Sequence, residues 1–120
     1  MGKLAFMFVL FAFPLSALAE EPTAEGLAAI CTYESKPENM RELLQASCMS
    51  FVRGFMAYHT AVAASVPGFQ LFCLPKEGEI LNVLRMAFVA ESRKFRDEPN
   101  APAGMVMLSA MMGTYPCPTK

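Results

Sequence analysis

Cys31, Cys48, Cys73 and Cys117, together with His59, are the side chains of this 120-residue sequence that could ligate, oxidise or attack. Four cysteines read as two disulfides in an oxidising compartment, as a metal site, or as a redox pair. A zinc ribbon needs cysteines two residues apart, and no pair here has that spacing; His59 is the only histidine available to complete a mixed site. Spacings this wide belong to structural cysteines rather than to a redox motif. Two disulfides are the reading that remains, with three connectivities open. His59 lies in a helical pattern whose i−4 and i+4 neighbours are Phe55 and Ala63, so no acid orients it as a base. There is no G-x-S-x-G elbow, glycine-rich phosphate loop or H-E-x-x-H helix. The sequence therefore assigns no catalytic residue, no cofactor and no metal, and it expects a structural or surface histidine.

The compartment is written at the start of the chain. Lys3 precedes the apolar run Leu4 to Phe13, Pro14 breaks it, and Ala17-Leu18-Ala19 offers small residues to a peptidase. That order is a secretory signal peptide over residues 1–19. The run is shorter than the roughly 20 residues a membrane span needs, and no later stretch reaches that length. Residues 20–120 form one domain carrying nine basic and eleven acidic side chains, a net charge of −2. Such a balance excludes the clustered basic footprint of a nucleic-acid binder.

The remaining residues predict four helices. Thr23 is an N-cap, with Glu25 in the first turn and Leu27, Ala28 and Ile30 following. After a turn over Tyr33 to Asn39, Ser35 and Glu38 have capping-box spacing for a long second helix, roughly 37–65. Leu44, Cys48, Phe51, Phe55 and Val62 form its stripe, and Gly54 marks where another helix should cross. Val66-Pro67-Gly68 ends it. Phe72-Cys73-Leu74-Pro75 is extended, and a third helix spans about 76–96 with Leu81, Leu84, Phe88 and Phe95 inward. Glu77 and Glu79 then sit in its first turn, and Arg93, Lys94 and Arg96 in its last. An exposed loop, 97–103, leads to a fourth helix reaching Thr114, with Met105, Leu108 and Met112 as its stripe. The methionines read first as core filling, although such stripes also form adaptable surfaces. The fold class is all-α: a small four-helix, disulfide-stapled bundle.

Four short motifs follow one another at fixed spacing: Cys48-x-x-Phe51-x-x-Gly54, then Phe72-Cys73-x-Pro75, a charged amphipathic helix, and Tyr115-Pro116-Cys117. This series resembles the Rap/Tai family of periplasmic immunity proteins associated with type VI secretion, over roughly residues 28–117. Ser50 stands where that family carries a glycine, and Ala57 where an acidic residue is common. The resemblance implies a helical protein that binds and blocks a peptidoglycan-cleaving amidase toxin. The expected partner is thus a protein, a cell-wall amidase, and the sequence leaves a homodimer open. The alternative is an acid-stress periplasmic chaperone of the Hde type, which the low lysine content (Lys36, Lys76, Lys94 and Lys120) disfavours.

If the third and fourth helices are antiparallel, the end of the fourth returns toward Pro75 and brings Cys117 beside Cys73. Cys31 and Cys48 then pair by elimination. The partner-binding candidate is the loop Asp97, Glu98, Pro99 and Asn100, continuing to Pro102, because its two prolines limit the entropy lost on binding. The outer face of the third helix around Arg85, Arg93 and Arg96 is the other candidate. Export has a direct test: intact mass of the protein from a periplasmic extract should correspond to a chain beginning at Glu20. Recovery from the cytosol with Met1 retained would remove the signal-peptide reading.

Overall fold

The computed structural model describes residues 21–119, so the signal-peptide segment 1–19 lies outside the described residues. Four helices follow in order: α1 (Ala24–Cys31), α2 (Glu38–Ser65), α3 (Ile80–Ser92) and α4 (Ala103–Thr114). Thr23 caps α1, its Oγ1 accepting from the Gly26 amide at 3.0 Å. Thr32 closes it, with amide and hydroxyl both donating to the Ala28 carbonyl. The chain then makes a single 3-10 turn, Tyr33–Ser35.

The capping box expected at Ser35 and Glu38 does not form. The Ser35 hydroxyl is committed to the Thr32 carbonyl, at 2.9 Å, and Pro37 occupies the N-cap of α2. Arg41 steadies this corner instead, its Nε donating to the Lys36 carbonyl at 2.8 Å. Cys48, Val52 and His59 are the buried residues of α2, flanked by half-buried Leu44, Phe51, Phe55 and Met56. Nothing crosses at Gly54: a Cβ there would meet no atom within 4 Å. The glycine faces solvent, and the helix tolerates it because propensity loss at one residue is about 1 kcal/mol.

The third helix is shorter than its charge pattern predicts. Gly78 sits at φ 116°, outside the helical region, so α3 begins at Ile80 with Glu79 at its N-cap and Glu77 in the preceding loop. At the other end, Arg93–Phe95 tightens into a 3-10 turn, which puts Arg93, Lys94 and Arg96 beyond the α-helix. α4 packs chiefly on α3 and also on α1. It buries Ala103, Val106, Met107, Ala110 and Met111, whereas Met105 and Met112 are 50% and 43% exposed. Of the stripe expected at Met105, Leu108 and Met112, only Leu108 packs against the core, half-buried; the two methionines face outward. The helix is apolar nearly all round, so no stripe stands out, and packing on α1 and α3 decides which face is buried.

Arg85 is the one buried cation among the described residues, 5% exposed, and not part of an outer face. Nη1 donates to the Cys31 carbonyl at 2.9 Å, Nε and Nη2 both reach Asn82 Oδ1, and Nη2 pairs with Glu34 at 2.6 Å. The guanidinium also lies over the Tyr33 ring, 4.6 Å from its centroid. Glu34's own backbone amide and this guanidinium hold its carboxyl below the usual range.

Two disulfides complete the frame. Cys31 is joined to Cys48, tying α1 to α2, and Cys73 to Cys117, tying the segment before α3 to the end of α4. Non-reducing peptide mapping should return these two pairs. Removing the Cys73–Cys117 bond by double alanine substitution should cost about 4 kcal/mol, and the shorter Cys31–Cys48 loop about 3 kcal/mol, on the chain-entropy relation. The Arg85 cluster makes a second prediction by urea denaturation. Arg85→Ala leaves the Cys31 carbonyl without its donor and should cost about 2–3 kcal/mol, whereas Glu34→Gln, at an exposed partner, should cost under about 1 kcal/mol. Equal losses would show that the ion pair, not the carbonyl contact, dominates.

Candidate binding surface

The groups with intrinsic reactivity are already occupied. His59 is buried, its Nε2 accepts from the Leu71 amide at 3.1 Å, and its ring stacks on Phe72 with centroids 3.8 Å apart. Burial pushes its pKa below the ordinary histidine value. All four cysteines are oxidised. Among the described residues, no three of His, Cys, Asp and Glu gather where they would hold a metal ion. No helix of the described residues is long and apolar enough to cross a membrane.

The segment from Arg93 to Ala103 is built as a fixed projection. It leaves α3 through the 3-10 turn, and the Glu98 amide donates back to the Phe95 carbonyl at 2.9 Å. The Ala101 amide donates to the Glu98 carbonyl at 3.0 Å, rounding the tip. The far end is stitched to the chain before α1: the Ala24 amide donates to the Ala101 carbonyl, and the Ala103 amide to the Pro22 carbonyl. Thr23 and Pro102 thereby make an antiparallel bridge. Glu21 extends the seam, its carboxylate accepting from the Gly104 amide at 2.9 Å in the positive first turn of α4. Between these anchors Asp97, Glu98, Pro99 and Asn100 are all exposed, while Ala101 is buried.

Arg93 and Arg96 lie at the same end of the molecule. They line a shallow pocket of about 180 Å³ whose floor is Phe95 with Ala24 and Ala28 of α1. Lys94 pairs with Glu91 at 2.9 Å, and that contact keeps the Glu91 carboxyl low in pKa. Neither Arg93 nor Arg96 forms an ion pair among the described residues. The structure thus brings the acidic loop and two arginines together, and it removes Arg85 from that set.

A second concave surface was not singled out by sequence. An open groove of about 790 Å³ runs between α2 and the start of α3, with Met49, Arg53 and Met56 on one wall and Ile80 and Leu81 on the other. The signal for it was present: Gln45, Met49, Arg53 and Met56 recur at helical spacing, on a face different from that of Cys48 and Val52. Ser50 and Ala57, the two departures from the Rap/Tai pattern, are both exposed on α2 and leave the core untouched.

A search of curated proteins and of solved structures finds no match. The family model of Rap1a immunity proteins matches residues 23–117, from the cap of α1 to the last cysteine. That span contains every helix and both disulfides described above, and so the chain belongs to the Rap1a immunity protein family.

Proposed function

We propose that this protein is a periplasmic immunity protein that binds and blocks a peptidoglycan amidase effector of type VI secretion, presenting the loop Asp97-Glu98-Pro99-Asn100 to it. Family membership supports an effector as the partner. The observation that carries the choice of surface is the double anchoring of the loop, to Phe95 on one side and to Pro22 and Ala24 on the other. An inhibitor loses affinity in proportion to the side chains and backbone it must order on binding. Here the backbone is held before the partner arrives, and Pro99 and Pro102 restrict it further. Arg93 and Arg96, which form no ion pair among the described residues, add positive charge beside the acidic tip, a mixed pattern suited to orienting a polar protein surface.

Residues 97–100 exchanged for a Gly-Ser sequence of equal length should weaken binding to the cognate amidase by about tenfold or more, or 1.4 kcal/mol, in titration calorimetry. The helical circular dichroism should stay unchanged. Arg93→Glu with Arg96→Glu should chiefly slow association and flatten its salt dependence. Unchanged affinity in the loop exchange would move the interface to the groove between α2 and α3.

A further inference from the structure

Residues 66–75 pack beside α2 as an irregular strap, fixed at both ends, with Phe72 in the core and one side-chain hydrogen bond, from the Leu71 amide to His59, in the middle. At its start, the Val66 amide still donates to the Val62 carbonyl of α2, and Gly68, at φ 81°, provides the bend. At its end, Cys73 is held by the disulfide to Cys117 and by its amide donating to the Tyr115 carbonyl at 2.8 Å. Between them, Leu71 donates its amide to His59 Nε2, and Phe72, 1% exposed, lies against the same imidazole. Tyr58, Val66 and Phe69 form exposed apolar ground beside it, at 70%, 46% and 42% exposure.

We infer that residues 67–72 form an acid-released strap, latched by His59 and opening to uncover Phe72 and the adjoining face of α2. The latch works only while Nε2 carries a lone pair. Once protonated, both ring nitrogens are donors, and the nitrogen that accepted from Leu71 confronts the amide with a second N–H. Burial is what lowers the ring's affinity for a proton. No carboxylate compensates: from Gly54 to Pro75 no other side chain is charged, and α4 carries none from Ala103 to Thr114. On α3, Arg85 is engaged by Glu34 and Glu91 by Lys94. Glu25 is exposed on α1, and what Tyr115 presents to Cys73 is its backbone carbonyl.

The linkage has a definite sign. With the strap open, the imidazole is solvated and titrates near the ordinary histidine value of about 6.5; with it closed, the ring titrates lower. The open form therefore binds more protons, so closure is fully favoured above that value and weakens as pH falls toward the closed-state pKa. Cys73 limits the excursion, so the four-helix core need not unfold.

The test uses the disulfide-intact protein, with amide hydrogen exchange corrected for the intrinsic effect of pH. Between pH 7.5 and 5.0, Leu71 should lose protection several-fold while Val106 and Met107 in α4 keep theirs. His59→Gln, whose carbonyl oxygen can accept from Leu71 without titrating, should show the same Leu71 protection at both pH values. An apolar dye should gain fluorescence at pH 5.0 with the wild-type protein only. Constant Leu71 protection in the wild-type protein overturns the proposal. So does loss of protection in step with Val106 and Met107, since that is global unfolding. An equal pH response in a His59→Gln variant with native circular dichroism would place the titrating group elsewhere and overturn it too.

Discussion

The carbonyl oxygen of Cys31 ends an eight-residue helix and has no amide of its own helix to accept from. A helix that short is not stable alone, so what binds its last turn decides whether α1 exists at all. Here one residue is tied twice, through Sγ to Cys48 on α2 and through its carbonyl to Arg85 on α3. Three helices meet at a single position. The cation at that junction suits it, because a guanidinium is weakly hydrated and its donors lie in one plane. Asn82 and Cys31 accept from those donors, and Tyr33 covers the guanidinium face. Glu34 supplies the counter-charge from solvent, which limits the desolvation cost that a fully buried pair would carry.

The sequence displayed the elements whose signals are local. Thr23 sits three residues before the amide it caps, and Pro67-Gly68 stops α2 by its own chemistry. Elements set by tertiary partners were harder to read. Acidic residues before Ile80 look like a helical first turn until Gly78 adopts a positive φ, which the sequence permits but does not announce. An arginine on an amphipathic helix normally belongs to the wet face. Arg85 is inside because Cys31, from 54 residues earlier, needs a donor. The apolar composition of α4 could not name its buried face, since that choice depends on α1 and α3 arriving together. Ser35 failed as a cap for a similar reason: the turn before it had a competing use for its hydroxyl.

The candidate surface was legible in part. Charged and proline residues at 93–102 mark an exposed loop, but only the folded chain shows that this loop is seamed to Pro22 and Ala24. The groove along α2 was hidden because Met49 and Met56 look like core residues when read alone. The cysteines, Phe51 and Phe72 of the motif series build the scaffold. Exposed positions such as Ser50 and Ala57 are free to differ within that scaffold. A shared frame is thus compatible with different partners.

The two disulfides join neighbours in chain order, first with second and third with fourth. The loops they close, 31–48 and 73–117, neither overlap nor nest. A chain that crosses a membrane amino-terminus first would deliver each cysteine to an oxidant immediately before its own partner. Cys31 and Cys48 can close while the rest of the polypeptide is still in transit, and both are then unavailable when Cys73 emerges. For a chain exported in that way, oxidation in simple order of arrival would already be correct, and an oxidase would suffice without an enzyme that reshuffles mispaired bonds.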